Sequence, residues 1–476
     1  MIFRRKRHPE SGSRKQARRP GTHKAIALML ALGLVMAACA SEEGTDTTEG
    51  GDTGTTADGG TATTADGGTA TTAGGGEGGE EVDLLVWVTR DYYIPPDGFE
   101  SFMAENPGIN VTWDVQANDD ILQQFLRMRD AGQPLPDVLG AEDSFLIASY
   151  VEAGLLESHD EIAATWEAED PELYGQLLPL VWDETALDGV KYGASITANF
   201  DVLYYNAEWF EEAGVTVPFD SLDAVLEAMR AMKTARPDSI PMTVQAQAGQ
   251  GVTTLKTMLA AAGVEYTEAV PDLMSDAGIY TINWFLQAAQ EELLPPEAIA
   301  WGEDESRGAF VSGDAGLILD GFTTAADFGA AEGFAYPDQW SLTPVPLSQS
   351  GSGQDGVALS AARAWAVVAG SEHPDEAALV LRYIAETDNL IDAAGNGSVP
   401  MRQTEAIEDP RLQEIWPFFN DDLKAAYLGS SPTPAGPKAG DVEVILEQMF
   451  GEIVVGTDKT AEDLAAEYQP LLDATE

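Results

Sequence analysis

Polar groups and aromatic rings cluster at Arg90-Asp91-Tyr92, at Asp143 and Phe145, at Asn199 and Asp201, at Phe322-Thr323, and at Arg363 and Trp365. Aromatic faces cover the C–H side of a sugar ring, while carboxylates, amides and guanidinium groups take its hydroxyls. Such pairs carry the chemistry of carbohydrate recognition in a cleft. Four carboxylates, Asp91, Asp143, Asp201 and Asp320, would equally suit a cationic solute such as a polyamine. Core packing is the competing use of every aromatic. Trp87, Trp113 and Trp209 are assigned to it, because they stand on apolar faces of regular elements.

Catalytic constellations are thin. Beyond the first 38 residues the chain holds two histidines, His159 and His373, far apart and without metal-ligand spacing, so both are expected on the solvated surface. No HExxH, GxSxG or Walker A pattern occurs. Gly351-Ser-Gly-Gln-Asp-Gly356 matches GxGxxG, but it leads from a proline-broken loop into a strand, so a flexible loop is the expectation. A glycoside hydrolase would need two carboxylates at a set separation, one with a raised pKa, and the many acids leave that alternative open. No metal or other cofactor is expected.

The elements that must position these residues alternate between strand and helix. Val82–Val88 is a short apolar run, residues 109–115 alternate as a second strand, and residues 136–139 open a third. Helices are predicted from Phe99, from Ile121, from Leu222 and over 281–289, with a further strand at 316–319. Trp365–Ala369 reads as a strand, and Pro374 opens a helix at its first turn. A closing helix spans 442–454. Gly189–Gly214 combines a hairpin, a polar segment with Thr197, Asn199 and Asp201, the apolar run Val202-Leu-Tyr-Tyr205, and a helix opened by Asn206. Alternation of this kind predicts an α/β fold with a mainly parallel sheet, and ligands beyond the carboxyl ends of its strands.

Five stretches then stand in a recognisable order: FESFMAENPGINVTWDV, PDVLGAEDSFLIASYVEAGLLE, KYGASITANFDVLYYNAEWFEEAGV, AFVSGDAGLILDGF and AWAVVAGSEHPDEAALVLRYI. Together they resemble the extracellular solute-binding proteins of ABC importers, in the family with maltose- and glycerol-phosphate-type binding proteins. The resemblance implies a two-lobed, periplasmic-binding-protein-like fold whose discontinuous lobes are joined by a hinge. It divides the chain into residues 82–194 plus 344–387 and residues 199–342 plus 388–476, with crossings near 194–199, 342–346 and 386–389. It also implies a non-enzymatic, monomeric receptor that hands its solute to membrane permease subunits. Trp365 falls where that family commonly has Gly-Gly-Trp, but Arg363-Ala364 replace the glycines. A backbone without them approaches a ligand less closely, and Arg363 becomes a contact candidate in their place.

The first 81 residues carry other signals. Nine of the 25 Lys and Arg residues lie in the first 24 positions, ahead of an apolar run ending at Met36 and small residues up to Cys39. Residues 1–38 therefore read as an export signal, with Arg18-Arg19 leaving twin-arginine export open beside Sec. Cys39 is the single cysteine, and its setting resembles a lipobox, which implies cleavage before Cys39 and attachment of a diacylglycerol. Residues 39–81 are almost only Ser, Thr, Gly, Ala, Asp and Glu, a flexible tether holding the folded part at the outer face of the membrane. Removing residues 1–38 leaves 16 basic against 79 acidic residues, a net charge of −63. Such a surface excludes binding to nucleic-acid backbones.

Overall fold

The computed structural model describes residues 81–89, 93–116, 121–249, 252–395, 399–400 and 407–475, all within the unit Gly76–Glu476. The expected export signal, Cys39, the tether and the cluster Arg90-Asp91-Tyr92 lie outside the described residues.

Thirteen residues rich in β-branched and aromatic side chains, Ala194–Asn206, form the longest strand, β6. Ahead of it come β1 (Val82–Val88), β2 (Ile109–Val115), β3 (Val138–Asp143) and the small hairpin of β4 (Ala186–Leu187) and β5 (Val190–Lys191). After it follow β7 (Ile240–Thr243), the hairpin of β8 (Tyr266–Thr267) and β9 (Val270–Pro271), β10 (Ala315–Gly321) and β11 (Trp340–Pro344). The last three strands are β12 (Leu359–Val367), β13 (Val399–Pro400) and β14 (Ser431–Pro432).

Main strands run in the order β2-β1-β3-β12-β6-β10-β7, and β6 changes partners halfway along. Its first half pairs with β12, Phe200 facing Ser360 and Thr197 facing Arg363. Its second half pairs antiparallel with β10, Asp201 facing Gly321, and on its other edge with β11, Val202 facing Pro344. The switch therefore falls between Phe200 and Asp201. Residues 342–344, where a second crossing was expected, are still paired with β6 residues 202–204, and pairing with Phe200 begins only at Ser360.

Parallel pairings are those of β1 with β2, β1 with β3, β10 with β7 and β12 with β14. Strands β6 and β12 pair antiparallel with their main neighbours, so the sheet is mixed and not mainly parallel as expected. The first three pairings set the direction of β3 and β10. They place the carboxyl ends of β3 and β10, residues 143 and 321, on either side of the switch. A separate hydrophobic core serves β7 and β10, built from Trp209, Leu226, Met229, Leu255, Phe285 and the closing helices Ala439–Val455 and Ala461–Asp473. The last of these was not expected. Its start is marked by Thr460 and Asp463, which satisfy each other's backbone N–H groups across the first turn. Asn206 caps the helix Ala207–Ala213 through Trp209 N–H, and Gly214 ends it at φ 68°.

Two expectations are corrected. His159 is not on the surface: it is 0% exposed, its Nδ1–H donates to Glu157 O at 2.9 Å, and its Nε2 accepts from Val367 N–H at 3.1 Å. A neutral ring is needed for that pair of bonds, and burial pushes its pKa down to about 4. Trp113 is not core but 38% exposed, because β2 is the edge strand of the sheet and little packs over its far end.

Candidate functional site

Strand ends build the site from both sides of the switch. Asp143 closes β3 and forms an ion pair with Arg363 on the neighbouring β12. The Arg363 guanidinium also stands 6.0 Å over the Tyr93 ring. Glu142, one residue earlier, is fully buried and accepts from the Tyr150 hydroxyl at 2.6 Å. Burial, reinforced by the Asp143 charge, pushes its carboxyl up to about 7.

Asn199, paired with Ala361 of β12, reaches across the switch to the end of β10, its Oδ1 accepting from Thr323 N–H at 3.1 Å. No Cβ fits at Gly321, because it would overlap the Asn199 amide. Gly321→Ala should therefore swing Asn199 off Thr323 and cost about 1–3 kcal/mol. Loss of solute affinity should accompany it. Chemical denaturation and a binding titration on the same preparation check both effects.

Asp201 accepts from the Thr257 hydroxyl, on the helix Thr253–Ala261. Burial, with added repulsion from Asp320, pushes its carboxyl up to about 6, against the opposing pull of Thr257 and Lys256. Asp320 itself is held by Arg307 at 2.8 and 3.0 Å and by the Thr324 hydroxyl at 3.1 Å. Lys256 pairs with Glu443 of the closing helices and sits 4.9 Å over the ring of Phe145, which follows the end of β3. Phe145 thus reaches across to the second core. Nearby, Ser149 Oγ donates to Pro437 O at 2.9 Å. A cavity of about 230 Å³ opens at that edge between Glu152 and the residues Glu268, Gly436 and Lys438.

Of the residues expected at the site, Asp143, Phe145, Asn199, Asp201, Thr323 and Arg363 are thus linked into one neighbourhood by direct contacts and strand pairing. Two others are consumed by the core. Phe322 is 1% exposed, stacked on Phe200 at 5.0 Å with Trp416 and Phe419 against its other sides. Trp365 is also 1% exposed, and its ring occupies the space a Cβ on Gly140 would need, 2.6 Å away. It borders a cavity of about 20 Å³ beside Tyr93 and Thr197, room for a water.

Lys256, Thr257, Glu443 and Tyr93 were missed. Lys256 had a signal: it is the sole charged residue in the helix TTLKTMLAA, in a chain short of basic residues. Glu443 and Tyr93 had none, since only the folded chain brings them to the site. Among the described residues no group of three or more His, Cys, Asp or Glu could hold a metal ion, and no helix is long and apolar enough to cross a membrane.

Residues 87–390, more than half of the chain, match the family described as bacterial extracellular solute-binding protein. The chain belongs to that family. Its members act outside the cytoplasm and bind rather than transform solutes. Among solved structures, this solute-binding protein is similar to maltose-bound MalE3 of T. maritima, at TM-score 0.69 and 17% identity over 83% of this chain and 100% of that one. The GacH receptor of Streptomyces glaucescens GLA.O, solved unliganded and with acarbose, matches at TM-score 0.68 and 17% identity over 83% and 98%. A ribitol complex of an ABC transporter solute-binding protein from Agrobacterium radiobacter K84 gives TM-score 0.67 and 15% identity over 83% and 99%. These likenesses establish the two-lobed fold. A curated Brucella abortus (strain 2308) relative is 28% identical over 137 residues, 28% of this chain and 31% of that protein. The match spans about a third of the length of the relative.

Proposed function

We propose that this solute-binding protein is the receptor of an ABC import system and takes a sugar, an oligosaccharide or a related polyol between its lobes without converting it. The observation that carries the reading is the partner switch of β6, with Asp201 and Thr323 on one side of it, Asp143, Phe145 and Arg363 on the other, and Asn199, paired with Ala361 of β12, reaching across it to Thr323. Closure over a solute is favoured only by groups that contact it from both lobes, and these two sets meet that condition. In this reading one lobe is built on β1, β2, β3 and β12, and the other on β7, β10, β11 and the closing helices. Maltose, acarbose and ribitol, bound by proteins of the same fold, support a hydroxyl-rich ligand. Cys39 would carry the lipid anchor, the tether would hold the receptor near its permease, and the receptor would act as a monomer.

Intrinsic tryptophan fluorescence of the folded part should respond to maltodextrins or polyols in a saturable one-to-one titration, with the sugar recovered unchanged by chromatography. Asn199→Ala should weaken that response at least tenfold, by removing one planar hydrogen-bonding group. Saturation by spermidine with none by sugars would replace the reading by a cationic solute. Release of shortened glycosides would replace it by hydrolysis.

A further inference from the structure

Where the chain passes between lobes there is a second polar cluster that the solute site does not use. Glu184, just after the helix Leu180–Asp183, is 8% exposed. Its Oε1 stands 3.5 Å from Ser360 Oγ, and Ser360 Oγ stands 3.4 Å from Ser431 O. Ser144 and Ser195 bring their hydroxyls to the same carboxyl. All three serines are at most 4% exposed. Among the described residues Glu184 Oε2 and Ser195 Oγ lack a hydrogen-bond partner, and no ion pair reaches Glu184.

These separations are long for O–H···O bonds, which cluster near about 2.7–2.8 Å. They match the edge of an octahedron of oxygens around a cation. A metal–oxygen distance of about 2.4 Å gives edges of about 3.4 Å. The donors are all oxygen, which excludes soft transition metals. One carboxylate among neutral hydroxyls and a carbonyl gives the site a charge of −1, which a single positive charge balances. A buried carboxylate is ordinarily paired with a cation, bound to a metal or neutralised.

We propose that Glu184, Ser144, Ser195, Ser360 and the Ser431 carbonyl form a binding site for a sodium-sized monovalent cation. The ion fastens the junction of the two lobes. Ser360 faces Phe200 at the partner switch of β6, and Ser431 belongs to β14, which pairs with Leu359 and Ser360. Binding there ties the helix that precedes β6, the end of β3, and β12 and β14 to one point. The identity of the solute plays no part in it.

Calorimetry of the full chain in NaCl, KCl and choline chloride at matched ionic strength tests the site. Matching cancels the general screening that a highly acidic chain shows in any salt. The Tm should be about 2 °C higher in NaCl than in choline chloride, with KCl nearer to choline. Ser360→Ala and Glu184→Gln should each erase that difference, and Ser360→Ala keeps the test open if Glu184→Gln fails to fold. One Tm in all three salts for the wild type, which a trapped water or a proton on Glu184 would produce, overturns the proposal. So does a sodium-specific shift that survives in both variants.

Discussion

Trp365→Ala should lower the stability of the folded part by about 4 kcal/mol, the range for emptying a buried aromatic site. The indole is 1% exposed and fills the gap left by the missing Cβ of Gly140, while Ala194 faces its backbone from β6. Strand β12 is held on both edges by β3 and β6, so its backbone cannot move to close that volume. Urea unfolding should show the midpoint falling with the slope unchanged. Solute affinity, measured well below the unfolding transition, should stay within about threefold of wild type. Gly140→Ala should mimic the loss from the other side, since its methyl would meet the same ring at 2.6 Å. A hundredfold loss of affinity at unchanged stability would instead return Trp365 to the solute site.

His159→Gln should remove most of the acid sensitivity of the fold. The buried ring titrates near 4 in the folded chain and about 6.5 when unfolded. Between those values the unfolded state binds more protons, so stability is complete above pH 6.5 and is lost as the pH falls toward 4. Below pH 4 the loss levels off at about 3 kcal/mol. Glu142 and Asp201 act in the opposite sense. Burial raises each of them, to about 7 and 6, so each favours folding more as the medium is acidified toward their unfolded values. The wild-type profile therefore mixes both signs, and the difference between variant and wild type isolates the histidine. That difference should be flat above pH 7 and should change by about 3 kcal/mol between pH 6.5 and 4. A difference curve flat over the whole range would show that the ring is already charged, or reached by water, in the folded state.

Much of the scaffold was legible because local chemistry and tertiary packing agree there. Val82–Val88 and Ile109–Val115 are strands at the expected positions, and Asn206 and Gly214 bracket their helix as their side-chain chemistry requires. The site was legible in part. Asp143 ends β3, and Asn199 and Asp201 form the polar break before the apolar run of β6, which position alone can indicate, and the fold gathers them. Phe322 and Trp365 looked equivalent to them in a linear reading. Their burial depends on distant partners, Trp416 and Phe419 for one and Gly140 for the other, which no local pattern encodes. His159 failed for the same reason: a loop histidine reads as solvated until Val367, 208 positions later, comes to lie against its ring. Lys256 shows the converse. An isolated charge in an apolar helix is a local signal, but its use depends on Phe145 and Glu443, far off in the chain.

The position of β12 bears on how the polypeptide matures. This strand lies between β3 and β6, so the sheet that begins at Val82 has an empty central slot until Leu359–Val367 has been made. Contacts of such long sequence separation form late and slowly. More than three quarters of the chain must leave the ribosome before the first sheet can be sealed. A growing chain of this topology stays threadable for most of its synthesis, and a fragment cut before residue 359 would leave β3 and β6 with unmatched edges.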